Sequence, residues 1–176
     1  MPRTSKPPKQ VVCPFVVCVD SREQAPFPFA SIDGYDVIQT VTVGLPTGDY
    51  SIRGCENRVS IERKSVSDYY GSIGTDRERF EREMARLSKM EFAAVVIEGD
   101  WQELLIDRPD TIQMSARAAS QTIYSWSVRY GVQFWPCMGR RHAELTTFHL
   151  LRHWWNQEQE RRKSDTAWIQ ETIDSL

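Results

Sequence analysis

The residues able to do chemistry crowd into one stretch, Gly48 to Asp68, which reads GDYSIRGCENRVSIERKSVSD. Asp49 comes first, Glu62-Arg63-Lys64 follow, and Asp68 closes the run. Two carboxylates separated by a strand and a turn can share a hard divalent cation, which prefers oxygen ligands. A lysine two residues after the second acid, in a β-type run anchored by Val59 and Ile61, can hold or polarise the water that attacks phosphorus. It can equally steady the charge of the pentacovalent state. The plain alternative is a surface strand with cross-strand ion pairs, each worth little.

A second cluster lies upstream. Phe15 to Val19 is an apolar run of strand length that ends in Asp20-Ser21-Arg22-Glu23. Such a strand delivers its terminal charges to the edge of a sheet, where sites form. Together, Val19-Asp20-x-Arg22-Glu23, Gly48-Asp49-Tyr50 and Glu62-Arg63-Lys64-x-x-x-Asp68 resemble the XPF-type structure-specific endonuclease domain, with every position of that pattern present. Gly71-Ser72 and Arg77 also fit, and the resemblance runs over residues 12 to 155.

The resemblance implies an α/β fold, the restriction-endonuclease-like sandwich with a central mixed β-sheet flanked by helices. It implies Mg²⁺ or Mn²⁺, held directly by Asp49 and Glu62 with the backbone carbonyl of Arg63 and water. Asp20 would stand behind those ligands or help a second metal. Lys64 would orient the water. Arg22 and Arg63 would contact the scissile phosphate or hold the acids, while Asp68 and Glu23 fix the basic residues by ion pairs. The implied substrate is branched or junction DNA, such as flaps, forks or splayed arms. Domains of this family pair through their C-terminal helices, so a homodimer or a related nuclease subunit is expected. Larger members add a helicase portion or tandem helix-hairpin-helix domains. This chain is expected to be a stand-alone core, weak in intrinsic DNA affinity. The alternative is a catalytically silent DNA-binding or partner-binding subunit that keeps the fold, and a third reading is a structural protein of a larger assembly.

The elements that must position these residues follow from pattern. Strands are expected at 14–20, at 35–43 (YDVIQTVTV), and as a hairpin of 49–53 and 58–64 around a Gly54–Asn57 turn. Asp49 and Glu62 then sit on neighbouring strands, close enough to share an ion. A short helix capped by Ser67 or Asp68 should run to Ile73, with GSIGTD as a loop and Asp76 capping a helix over 77–90. The continuous apolar run 92–98 predicts a central strand covered on both faces. Helices are expected near 100–106, over 112–130 and over 140–160, with a short strand at 131–136. Residues 1–11 read as a disordered leader, 12–160 as the nuclease domain, and 161–176 as a frayed polar tail.

On the 77–90 helix, Phe80, Met84 and Leu87 share one face, while Arg79, Arg82, Arg86 and Lys89 line the other. Arg77 and the stripe Arg79, Arg82 and Arg86 are the candidate DNA contacts. A solvated face laced with Glu78, Glu81 and Glu83 is the competing reading. His142, His149 and His153 read as helix-surface residues. Ile123, Trp126, Phe148, Trp154 and Trp155 make the C-terminal third rich in apolar bulk, which suggests a pairing surface. Trp135 reads as core or interface.

Composition sets the outer bounds. The 176 residues fit one domain with a sizeable core. A net charge of −2 argues against a protein that coats nucleic acid non-specifically. The four cysteines form no C-x-x-C pair, so zinc is poorly supported and free thiols in a reducing compartment are expected. No apolar run is long enough to span a membrane, and no signal-peptide core follows the basic N-terminus. The expected location is cytoplasmic or nucleoid-associated, not secreted.

Overall fold

The computed structural model describes residues 10–106 and 114–174. At its centre the apolar run 92–98 forms β5 (Phe92–Glu98), flanked by parallel neighbours β4 (Val59–Ser65) and β6 (Gln133–Pro136). Beyond β4, antiparallel β3 (Tyr50–Ile52) leads to β1 (Val17–Asp20), and β2 (Thr40–Val43) runs parallel to β1 at the far edge. The order β2-β1-β3-β4-β5-β6 is the mixed sheet that the sequence implied.

Strand alternation divides the core in two. Ala94 and Val96 of β5 join Val59 and Ile61 of β4 under α5 (Gly139–Asp174), whose Phe148, Leu151 and Trp154 fill that side. Ala93, Val95 and Ile97 face α1 (Val66–Ile73), α2 (Arg77–Leu87), α3 (Trp101–Leu105) and α4 (Ala116–Tyr130). The same alternation in β4 turns Glu62 and Lys64 toward the α2 side and Arg63 toward the α5 side.

Several elements differ from the sequence expectation. The first strand begins only at Val17, after Pro14, which has no N–H to offer a ladder. The second is confined to Thr40–Val43. Upstream of it the chain makes isolated bridges, Val12 with Val37 and Ile32 with Tyr35, and coils through positive φ at Phe29, Ser31 and Asp33. Helix α1 starts at Val66 under Ser65, whose Oγ accepts the Asp68 N–H at 3.0 Å, and it absorbs Gly71 and Ser72. Burial of Tyr70 and Ile73 holds that glycine in helix, a case of packing overriding propensity. Asp76 does not cap α2; its carboxylate pairs with Arg79 at 3.2 Å. Helix α5 continues to Asp174 where a frayed tail was expected. Pairs such as Glu158–Arg162 and Glu160–Lys163 support the extra turns. Of the leader, residues 1–9 lie outside the described residues, as do 112–113 of the long helix; Val11 is tied down by Asp36 and Val37. Among the described residues no helix is long and apolar enough to cross a membrane.

The aromatic residues that suggested pairing belong to the chain's own core. Ile123, Trp126, Phe148 and Trp154 are buried, and Trp155 packs half-buried against them. Trp154 is covered by Arg58, 5.1 Å from its ring centroid, and by Arg161 at 6.0 Å. Arg58 in turn pairs with Glu91 and Glu158, fastening α5 to the start of β4. Trp135 is 41% exposed on edge strand β6.

One glycine is indispensable to the site. Gly48 has φ +71°, and a Cβ there would lie 2.1 Å from Ser60 Oγ and 3.1 Å from the Ile61 carbonyl. Gly48→Ala should therefore strain the backbone and push Asp49 off β4, at a cost of about 2–4 kcal/mol. Urea denaturation measures this, and an unchanged midpoint would refute it.

Candidate active site

The site arises where β3 ends before β4 does. Tyr50 pairs with Ile61, and the Asp49 N–H still reaches the Ile61 carbonyl at 2.8 Å. Past that point Asp49 replaces ladder with side chain, its Oδ2 accepting the Arg63 N–H at 2.7 Å. N–H and C=O of one strand residue point the same way, so the Arg63 carbonyl also turns to this side. On the next strand the Asp20 N–H donates to the Asp49 carbonyl at 2.8 Å. Asp20, Asp49 and Glu62 thus stand on three adjacent strands at one end of the sheet.

They border an open cleft of two lobes, about 590 and 320 Å³, that share Arg22, Asp49, Glu62, Lys64 and Arg79. Glu23, Arg63 and Asp68 line the larger lobe, and Asp20, Glu83 and Arg86 the smaller. Lys64 Nζ makes an ion pair with Glu62 and lies 4.9 Å from the centroid of the Phe80 ring.

The four acids at the heart of the pattern fall into two classes. Asp20 is held below the usual carboxylate range, chiefly by the Arg22 guanidinium. Its Oδ1 accepts from Arg22 N and Nε at 2.8 and 2.7 Å, and its Oδ2 from Arg22 Nη2 and the Leu45 N–H at 2.9 and 2.7 Å. Those four bonds occupy the carboxylate, so Asp20 anchors Arg22 and the Leu45 loop. Burial works against ionised Glu23, but the hydrogen bonds from Arg63 and from the Ala25 N–H outweigh it and lower its pKa. Asp49 and Glu62 go the other way. Burial pushes Asp49 up to about 6, with the charges of Glu23 and Glu83 adding to it against the Arg63 N–H and Lys64. Burial and then the neighbouring Asp49 raise Glu62 well above its ordinary value, despite Lys64. Burial opposes the Lys64 ammonium, yet Glu62, Glu83 and Asp49 together keep its pKa raised.

This arrangement fits a divalent cation. Two acids stand together in a low-dielectric place with one lysine paired to Glu62, so ionising both is disfavoured and a cation there would relieve that cost. One oxygen of each, Asp49 Oδ1 and Glu62 Oε2, has no hydrogen-bond partner among the described residues. No three His, Cys, Asp or Glu side chains converge among the described residues, so Asp49 and Glu62 would be the side-chain ligands. The Arg63 carbonyl and water would complete the set.

Arg63 is committed to acids. Its guanidinium takes Glu23 at 3.0 and 3.1 Å and Glu98 at 3.1 Å, and its side chain is 12% exposed. Arg140, in the first turn of α5, pairs with the same Glu98 at 2.7 Å and donates to the Ala25 and Pro26 carbonyls. Arg22 has the opposite character, bound to Asp20 yet 72% exposed over the cleft. Asp68 holds no basic residue; its carboxylate accepts from Ser65 Oγ at 2.7 Å. Arg77 is turned away, stacked 4.9 Å over Trp126, paired with Glu81 and donating to the Ile73 carbonyl. Arg79 and Arg86 line the cleft, while Arg82 lies on a separate shallow cavity beside Gly74–Arg79.

Sequence reasoning missed Glu98, Arg140 and the cleft position of Glu83. Glu98 was findable, because it ends an apolar strand just as Asp20 does. Arg140 reaches the site across more than a hundred residues, and no local signal marks it.

A family model, the ERCC4 domain, matches residues 19–147, which span the whole site. The chain belongs to that family. Among solved structures it is similar to XPF from Aeropyrum pernix, with a TM-score of 0.60 and 23% identity over 77% of this chain and 59% of that one. It is also similar to XPF from Aeropyrum pernix in complex with DNA, with a TM-score of 0.63 and 22% identity over 81% of this chain and 66% of that one. At such identity the likeness shows the fold, and the chain spans roughly three-fifths to two-thirds of those chains. No curated protein matches.

The raised acids generate a stability prediction. An acid whose folded-state pKa is raised keeps its proton longer in the folded chain than in the unfolded one. The Asp49 contribution to stability is therefore present below about pH 4 and is lost as pH rises to about 6. Asp49→Asn or Glu62→Gln removes the penalty and should stabilise the protein in EDTA by about 1–3 kcal/mol at pH 7.5, but not at about pH 4. Urea unfolding at the two pH values reads this, and destabilisation at pH 7.5 would contradict it.

Proposed function

We propose that this chain is a divalent-metal-dependent DNA endonuclease that hydrolyses phosphodiester bonds in branched or junction DNA. The carrying observation is the pair of buried Glu62 and half-buried Asp49, with Lys64 beside it, in a cleft rimmed by Arg22, Arg79 and Arg86. Membership of the ERCC4 domain family supports the reading, as does likeness to an XPF structure in complex with DNA.

Bound Mg²⁺ or Mn²⁺ would supply Lewis acidity toward the phosphate and its attacking water. Asp49, Glu62 and the Arg63 carbonyl would hold the ion. Lys64 Nζ, a donor with no acceptor capacity, orients the water or meets the charge that grows on the phosphate oxygens. A bond forms from the water oxygen to phosphorus, the bond from phosphorus to the leaving sugar oxygen breaks, the water's proton passes to solvent, and the leaving oxygen takes a proton from solvent. Asp20 keeps Arg22 in reach of the phosphate, and the Glu23–Arg63–Glu98–Arg140 ion pairs keep β4 and the 23–26 loop in register. A homodimer or related subunit would pair through other residues than the buried aromatics. The exposed Tyr124 and Val128, one turn apart on α4, are candidates for that contact.

A panel of labelled flap, fork, splayed-arm and linear DNA, with Mg²⁺, Mn²⁺ or EDTA, tests the reading. Metal-dependent cutting of branched species is expected. Asp49→Asn and Glu62→Gln should each lower it by about 10³-fold or more, and Lys64→Ala by about 10²–10³-fold with Mn²⁺ affinity retained. No cutting with either metal would favour the silent binding subunit. Near-normal cutting by both acid variants would displace the assignment.

DNA contacts give a separate prediction. Arg79 and Arg86 face the cleft, and backbone contacts position a duplex without reading its bases. Arg79→Glu with Arg86→Glu should weaken binding alike across sequences and flatten the log–log salt dependence by about two units. An unchanged slope would place the DNA path elsewhere.

A further inference from the structure

Lys64 is the side chain the proposed chemistry needs at the phosphate, yet in the metal-free chain it is spent on Glu62. That carboxylate is also the one a cation would claim. A carboxylate that gives its charge to a divalent ion holds an ammonium less firmly. Lys64, only 12% exposed, then needs another acceptor to stay ordered in the cleft. Helix α2 supplies the surroundings. Phe80 presents its ring to Lys64 Nζ at 4.9 Å. Glu83 follows three residues later, a spacing that keeps it on the same side of the helix. Glu83 lines the same lobe as Glu62 and Lys64. Among the described residues it makes no ion pair, although Arg79 and Arg86 stand one turn to either side of it. Its charge bears on Lys64, Glu62 and Asp49 alike.

We infer that Phe80 and Glu83 form a second cradle for Lys64, and that Glu83 is a positioning residue that takes over the ammonium when a cation engages Glu62. The inference rests on the nuclease reading above. Glu83 acts only through Lys64: it touches neither phosphate nor the attacking water, and Asp49 and Glu62 hold the ion without it.

A double-mutant cycle separates this from a structural role. Glu83→Gln, Lys64→Ala and the double variant are compared with the unaltered chain for cleavage at saturating Mg²⁺ and for Mn²⁺ affinity by calorimetry. Acetylation of Lys64 by an N-hydroxysuccinimide ester, read by mass spectrometry with and without Mn²⁺, adds a readout independent of activity. Glu83→Gln should lower kcat by about 10–100-fold with KM for DNA within about 3-fold. In the Lys64→Ala background it should change kcat by less than about 2-fold. With Mn²⁺ bound, Lys64 should be acetylated at least about 5-fold faster in Glu83→Gln than in the unaltered chain.

Multiplicative losses in the double variant would overturn the inference. So would an unchanged kcat in Glu83→Gln, or equal acetylation rates with Mn²⁺. If the unaltered chain neither binds Mn²⁺ nor cuts DNA, the nuclease reading falls and this inference with it. If it cuts, Lys64→Ala does not, and Glu83→Gln is normal, this inference alone falls.

Discussion

Two carboxylates, the buried Glu62 and the half-buried Asp49, stand together with a single lysine beside them, and the rest of the site is arranged around that conflict. Ionising both in a low-dielectric pocket is unfavourable, and one ammonium does not relieve it. The fold nonetheless forces them together. The early end of β3, the left-handed turn at Gly48 and the Arg63 N–H bond fix Asp49 beside β4. A folded chain keeps such a pair where a bound cation repays the cost, and stability sacrificed at a site is a common mark of function.

Several other acids around the cleft are paired with arginine. Asp20 has Arg22, and Glu23 and Glu98 share Arg63, with Arg140 closing the set from α5. These pairs tie β1, β4, β5 and α5 together at the sheet end where the cleft opens. At the opposite end of β4, Arg58 bridges Glu91 and Glu158 over Trp154 and performs the same fastening away from any cleft. Arginine-paired acids therefore serve as framework at both ends. Asp49 and Glu62 have no arginine ion-pair partner among the described residues. That contrast explains why the near-balanced charge of the whole chain says little about DNA binding: basic side chains matter here by position.

The sheet and the acid pair were legible because they depend on local pattern. FAAVVIE can be buried on both faces only as a central strand, and a Glu-x-Lys spacing in a strand puts both side chains on one face. The lengths of β1, β2, α1 and α5 were less legible. Pro14 and the coiled segment around Phe29 shorten the strands, while burial of Tyr70 and Ile73 extends α1 through a glycine. Polar residues after Arg161 stay helical through i,i+4 pairs, although they bury nothing. The stacking of Arg77 over Trp126 was not legible, because Trp126 is distant in sequence. Asp20 was correctly placed at the site, but its saturation by Arg22 and Leu45 depends on a loop closure that sequence does not display.

The central claim is that Asp49 and Glu62 resist ionising together and that a divalent cation would relieve this. Calorimetric titration with Mn²⁺ near pH 6, in two buffers of different ionisation enthalpy, measures it most directly, because it needs neither DNA nor turnover. The account predicts one binding event that releases about one proton, and its loss in Glu62→Gln. Binding without proton release, or binding unchanged in Glu62→Gln, would contradict it.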